Sequence, residues 1–447
     1  MAHIVPFRAL RYDPAQVALS DVVTQPYDKI TKQMQERYYA ASPYNLVRII
    51  LGKPEPADGP SANAYTRATA CYRDWRRRGI FRQDSEQSIY QYTQRFQAPG
   101  SALPLERRGF IALGKIEDYS AGIVFRHEQT LAQPKADRLE LLRATRAHFG
   151  QLFMLYSDPA REIDQALATA GEPVIDFADE FGVAHQVTRI SDPNLLSLVQ
   201  DRMREKKLMI ADGHHRYETA LTYRNERRAA EVVSPERPFQ KPLTPADPPK
   251  LAFYDFAMMT FVNMDSPGLV ILPTHRLVHG LASFSVDGFR DRARAYFSVE
   301  EVDPSINPAR AQGILREAGH AGPALLAVAA NRAFLLDTPR ALGSRIFDGF
   351  SLRQQSLDVV QLHKCLLEGV LEISEEAIRN QQNLSYVRDT GEALAQVRAG
   401  AANILFLMNP VRMRQVRDIA FAGEVLPQKS TDFYPKLLSG LTIYALD

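Results

Sequence analysis

The chain has 447 residues, 45% of them hydrophobic and 24% charged, with a formal net charge of +2. At about 100–200 residues per domain, that length predicts two or three domains with cores that need no staples. The near-neutral balance provides no global basic field for nucleic acid, and two distant cysteines, Cys71 and Cys365, exclude a disulfide framework and disfavour a cysteine-based zinc site. Residues 1–8 lack an apolar run behind basic residues, and no apolar stretch approaches the ~20 residues of a membrane span, so a soluble cytoplasmic protein with no membrane partner is expected.

In chain order, residues 4–9 read as a short strand, and residues 22–30 as a strand running into a proline turn. The spacing of Tyr65, Ala68, Tyr72 and Trp75 predicts a helix over 61–78, stopped by Gly79. Trp75 falls on its apolar face and is expected in the core. Arg76, Arg77 and Arg78 form a solvated helix C-terminus favoured by the dipole. Alternation over 89–96 and 110–116 predicts a hairpin with a long loop. An amphipathic helix over 137–149, a buried strand over 152–156, a helix over 195–203, a strand over 208–211 and a helix over 214–229 follow. Six prolines in 235–250 mark a linker or exposed loop. Beyond it, strands are predicted at 251–262, 269–272 and 324–328, and helices at 287–296, 357–371 and 391–397. The fold class expected is α/β, divided into a mixed α/β domain over 1–235 and an α+β domain over 250–447.

The strongest local signal is Ile210-Ala211-Asp212-Gly213-His214-His215-Arg216-Tyr217. Three apolar residues lead to Asp212, Gly213 permits a tight turn, and a helix opens. Unpaired N–H groups and the positive dipole end of its first turn suit an anion. Arg216 adds a planar donor fork for phosphate oxygens, His215 a further donor, and Asp212 a ligand for a metal ion or a hydroxyl. Adjacent histidines point in different directions, so His214 and His215 do not chelate one metal together. The plain alternative is a helix N-cap by Asp212 with solvated histidines.

Four other constellations carry chemistry. His127 and Glu128 have the residue types for acid/base work or metal ligation, and Lys135 and Arg138 downstream suit phosphate. A charged surface loop capped by Asp137 is the alternative. Within 427–436, which carries two lysines, Lys429 and Lys436, the residues Lys429, Ser430 and Thr431 resemble a phosphate clasp in chemistry, but no glycine-rich loop precedes them and the alternative is a polar loop. Pro26-Tyr27-Asp28 sets a carboxylate where it could act as general base on a hydroxyl, or simply form a turn. Thr274-His275-Arg276 is expected to be a surface pair.

Together these strings resemble a bacterial and archaeal family catalogued as domain of unknown function 1015. The resemblance runs nearly end to end. It rests on Pro6-Phe7-Arg8-Ala9-Leu10-Arg11-Tyr12, Pro26-Tyr27-Asp28, Ser42-Pro43-Tyr44-Asn45, His127-Glu128 with Asp137-Arg138, the Asp212–Arg216 string, Thr274-His275-Arg276, and Pro427-Gln428-Lys429-Ser430-Thr431 with Tyr434-Pro435-Lys436. More distantly, a strand followed by Asp-Gly-x-His-Arg and a helix looks like the phosphate-binding motif of the ParB/sulfiredoxin-like fold. Free serine kinase is one branch of that fold. The resemblance implies a ParB/sulfiredoxin-like N-terminal domain with a large insertion. It also implies ATP or ADP with Mg²⁺ held around Asp212, Gly213, His214, His215 and Arg216.

On that reading the chain is a nucleotide-dependent kinase for a small hydroxylated metabolite, with L-serine the leading substrate. Asp28 would orient or deprotonate the hydroxyl, with Asp standing where the kinase has Glu, and Lys429 or Lys436 would neutralise developing charge. Two alternatives stand beside it. One is a nucleotide-binding or DNA-partition-like switch, disfavoured by the near-neutral charge. The other is a metal-dependent phosphoester hydrolase using His127, Glu128, Asp212 and His214.

Overall fold

The computed structural model describes residues 2–128, 132–168, 171–233 and 251–446. Their contacts divide the chain into two units: Met1–Arg126, Thr130–Leu269 and Pro435–Asp447 form one, and His127–Gln129 with Val270–Tyr434 the other.

The first unit is built on the predicted hairpin. Strands Ile89–Gln97 and Pro104–Lys115 pair antiparallel, with Tyr90 opposite Ile111 and Gln97 opposite Pro104. They lie inside a nine-stranded mixed sheet, in the order Val124–Phe125, Leu208–Asp212, Leu152–Tyr156, Phe256–Asn263, Pro104–Lys115, Ile89–Gln97, Ala184–Ile190, Glu172–Ala178, with Ile4–Val5 paired to Pro104–Lys115. The pairs Leu208–Asp212 with Val124–Phe125 and Phe256–Asn263 with Leu152–Tyr156 are parallel. Phe256–Asn263 and Leu152–Tyr156 are buried at every position, so both read as continuous apolar runs. Because Phe256–Asn263 is a central strand of this sheet, the first unit extends beyond the proline-rich segment to Leu269, past the division drawn from the sequence at 235–250. Residues 235–250 themselves lie outside the described residues.

Helix Ala64–Arg77 begins one residue after Asn63, whose side chain accepts from Tyr65 and Thr66 in a capping box. Trp75 is buried, and Arg77 and Arg78 are exposed beside Asp74. Two other elements depart from expectation. Residues 22–30 form no strand: a helical turn Leu19–Val22 is followed by one bridge, Thr24 to Ser439, and a 3₁₀ turn Tyr27–Lys29. Pro26 has no N–H to extend a ladder. The helix predicted over 137–149 runs instead from Ala132 to Thr145. Arg146 adopts φ +50, and Ala147–His148 then pairs with Tyr444–Ala445.

The second unit has a six-stranded antiparallel sheet in the order Ser298–Val302, Ala333–Asp337, Leu325–Val328, Ile404–Met408, His275–Val278, Leu384–Val387. A two-stranded ladder joins Val270–Leu272 to Asp432–Tyr434. Its core packs helices Pro308–Ala318 and Thr390–Arg398 on the sheet through Leu315, Leu394 and Val397. The single helix predicted over 357–371 is an α-helical turn, Asp358–Gln361, running into a π-helix, Leu362–Val370. The expectation that His275 and Arg276 are surface residues is wrong. They sit on an interior strand, 3% and 0% exposed. The mixed α/β fold class stands. Among the described residues no helix is long and apolar enough to cross a membrane.

Candidate functional site

Strand Leu208–Asp212 is apolar and buried up to Ala211, and delivers Asp212 at its carboxyl end. Gly213 turns the chain with φ +95. A Cβ there would lie 3.0 Å from Arg216 Nη2 and 3.1 Å from its Cζ, so glycine serves both the backbone and the guanidinium packed on it. Helix His214–Val233 starts at once, with the Tyr217 amide donating to the Gly213 carbonyl at 2.9 Å. The Tyr217 hydroxyl donates to the Glu117 carbonyl at 2.7 Å and fixes the first turn against the sheet. Arg216 folds back and donates to the Gln151 carbonyl.

Asp212 does not cap the helix in isolation. Its Oδ2 lies 3.0 Å from Lys436 Nζ. Burial alone would push its carboxyl up, but Lys436, Arg216 and Lys29 outweigh that and hold it well below the usual carboxylate range. Three cations around one carboxylate leave net positive charge at the turn, as an anionic ligand requires. Lys436 is positioned by an arginine buried in the sheet. Gln94 donates to the Lys436 carbonyl at 3.0 Å, Arg107 donates to Gln94 Oε1 and to the Pro435 carbonyl, and its guanidinium lies 4.8 Å from the Phe153 ring centre.

Beside the turn is a cavity of about 70 Å³ lined by Pro26, Tyr27, Arg138, His148, Arg216 and Ser439, among others. Burial raises the Tyr27 hydroxyl, Asp28 adds to this, and Arg138 and Arg216 oppose it. Arg138 stacks on Tyr27 at 4.1 Å and donates to Asp137 at 2.8 Å and to the Ile50 carbonyl at 2.6 Å, so most of its fork is engaged within the protein. His148 is pushed down to about 4 by burial and by Arg216, and stays neutral at physiological pH. Asp28 is exposed on the 3₁₀ turn, one residue from Lys29.

His127 and Glu128 belong to the second unit with Lys429, Ser430 and Thr431. His127 Nε2 pairs with Thr431 Oγ1 at 2.8 Å, and the Lys429 amide donates to Glu128 Oε1 at 2.8 Å. Ser430 Oγ donates to the Pro427 carbonyl at 2.5 Å. The Ser430 hydroxyl thus closes the loop on itself and the Thr431 hydroxyl ties it to His127, while the Lys429 side chain is exposed on a backbone with φ +56. Within 427–436, Lys429, Ser430 and Thr431 belong to the second unit and Lys436 to the first.

Asp212, Gly213, Arg216, Lys436 and the turn bearing Asp28 fall in one neighbourhood of the first unit. His214 is buried and His215 partly so, both on the first helical turn. Arg107, Gln94 and His148 have no motif around them in the sequence to single them out, and Lys29 is a lone lysine beside the Pro26-Tyr27-Asp28 string. Among the described residues no group of three or more His, Cys, Asp or Glu side chains is placed to hold a metal ion, which counts against the four-residue metal site of the hydrolase reading.

A family model described as a protein of unknown function, DUF1015, matches residues 4–360. No curated protein matches the chain. Among solved structures, a conserved hypothetical protein from Pyrococcus furiosus aligns at 13% identity over 72% of this chain and 91% of its own, with a TM-score of 0.35. A free serine kinase in complex with AMP aligns at 11% identity over 72% and 88%, TM-score 0.35. SbnI with a C-terminal truncation, from Staphylococcus aureus, aligns at 10% over 75% and 87%, TM-score 0.35.

Proposed function

We propose that this chain, which belongs to the DUF1015 family of proteins of unknown function, is a nucleotide-dependent kinase for a small hydroxylated metabolite. One observation carries the reading. The Pro26-Tyr27-Asp28 turn and the Asp212–Arg216 turn, far apart in sequence, share a cavity wall, and Lys29 acts on the Asp212 carboxylate. A hydroxyl-activating carboxylate and a phosphate-holding turn need that proximity.

The residues present fit a nucleotide phosphate. The N–H groups of His214 and His215 at the helix start, the Arg216 fork and Lys436 would hold it. Such a cofactor supplies the phosphoryl group. Asp28 is the residue to orient the acceptor hydroxyl and take its proton, while Lys29 and Lys436 balance negative charge at the turn. Magnesium would arrive with the phosphates, and Asp212 can contribute one oxygen once Lys436 turns to the ligand. Arg138, stacked on Tyr27 in the first unit, is a further proposed phosphate-holding residue, and His127, Glu128, Lys429, Ser430 and Thr431 are proposed as site residues on the motif resemblance alone. The motif resemblance makes free L-serine the first acceptor to test.

The test incubates purified protein with Mg²⁺, ATP or ADP and a panel of hydroxyl metabolites including L-serine. Phosphorylated product that disappears in Asp28→Asn, with nucleotide binding retained, is the expected result. Nucleotide binding without product from any acceptor would leave a binding switch and sink the kinase. Phosphate release from phosphoesters without nucleotide would favour the hydrolase. Arg216→Ala is expected to weaken nucleotide binding by about tenfold or more, the worth of one charge-assisted fork. Unchanged affinity removes that role.

A further inference from the structure

Arg276 is fully buried in the second unit, on the strand His275–Val278, and makes no ion pair within 4 Å among the described residues. Its Nη1 and Nη2 donate to the carbonyls of Thr274 and Gln428, the latter at 3.2 Å. Its Nε has no hydrogen-bond partner among the described residues. Opposite it in register is Tyr386, whose ring centre is 4.7 Å from the guanidinium and whose buried hydroxyl also has no partner. Burial, and after it the Arg276 charge, holds the His363 imidazole well below its usual range, and its buried Nε2 has no hydrogen-bond partner among the described residues. It stands on the π-helix Leu362–Val370, an uncommon geometry that recurs at functional sites.

We propose that Arg276, His363 and Tyr386 form a buried receptor for a small oxyanion, a phosphate or carboxylate group, in the second unit. An isolated buried cation is costly, and an unpaired buried donor adds to that cost. The guanidinium Nε–H, a phenol and an imidazole N–H are three donors beside a positive charge. That set repels a metal ion and matches an oxyanion. Glu128 is the carboxylate whose charge reaches Arg276, but it is committed to the Lys429 amide at 2.8 Å. The Gln428 carbonyl is a neutral acceptor at moderate distance, which a charged oxygen would displace. The turn it belongs to holds Lys429 at φ +56, a conformation that costs energy for a side-chain-bearing residue.

The full chain is titrated with inorganic phosphate and with acetate against chloride at matched ionic strength, by calorimetry and thermal melting. The same series is run in Arg216→Ala, so that the turn at Asp212 does not contribute. One saturable site per chain is expected, and Tyr386→Phe and His363→Leu are each expected to weaken it by about tenfold, the worth of one hydrogen bond to a charged group. Because each variant deletes an unpartnered polar atom, both should melt in chloride no lower than the parent. Preference for phosphate or for acetate identifies the ligand's headgroup. No saturable binding of either, or binding unchanged in both variants, overturns the proposal and leaves water around Arg276.

Discussion

Arg107 in the first unit and Arg276 in the second are the fully buried arginines among the described residues, and the two are provided for differently. Arg107 and Arg276 are both pushed down to about 10 by burial, so both remain cationic at neutral pH. Arg107 has Gln94 Oε1, the Pro435 carbonyl and the Phe153 face around it, with the Asp212 carboxylate supporting its charge. Among the described residues the Arg276 Nε has no acceptor, and the Tyr386 phenol and the His363 Nε2 have no hydrogen-bond partner. A buried cation with a complete set of partners is structural, whereas one left partly unmet is either a defect or a site.

The largest expected effect breaks that contrast directly. Arg107→Met removes the donor that satisfies Gln94 and Pro435, and should cost about 3–5 kcal/mol. Arg276→Met in anion-free buffer removes a poorly compensated charge and fills its volume, so it should be near neutral or stabilising. Urea unfolding reads both. Trp75, the single tryptophan, reports on the unit that holds Arg107, and circular dichroism on the whole chain. Equal losses in the two variants would show that Arg276 is as fully served as Arg107.

A second contrast concerns charge at the Asp212 turn. Asp212 is depressed from its ordinary value near 3.8, so it stabilises the fold above that pH, and this is lost as pH falls below it toward the folded value. Asp212→Asn should therefore cost about 2 kcal/mol at pH 7, with the gap to the parent closing below about pH 4. A gap that is the same at pH 7 and pH 3 would mean that Lys436, Arg216 and Lys29 do not act on this carboxylate.

What could be read from sequence follows from the range of each interaction. The Asp212–Arg216 turn is a local event: three apolar residues, a carboxylate and a glycine specify strand, turn and helix within eight positions. Helix Ala64–Arg77 is equally local in its spacing and its Asn63 cap. Arg107 and Pro435 are 328 positions apart, and neither announces the other. Strand Ala184–Ile190 escaped because one of its inward residues is His185, which breaks the apolar alternation. Inside, that ring is met by Tyr92 at 2.7 Å and Asp179 at 3.1 Å. Arg276 was placed at the surface for the same reason: arginine is seldom buried without a carboxylate partner, and no sequence pattern signals the exception.

The smallest expected effect joins the two arginines. Both take a carbonyl from the stretch 427–436, Arg276 from Gln428 and Arg107 from Pro435. Between these points, Thr431 Oγ1 bonds His127 Nε2 at 2.8 Å. Thr431→Val keeps the shape and deletes that bond, so about 1 kcal/mol should be lost in urea unfolding. The stronger readout is kinetic. If Thr431 helps hold the Gln428 carbonyl on Arg276, and freeing that carbonyl limits exchange, its loss should speed exchange of phosphate at the Arg276 site more than it weakens binding. A matched loss in affinity with an unchanged exchange rate would mean that the loop binds the anion rather than covering it.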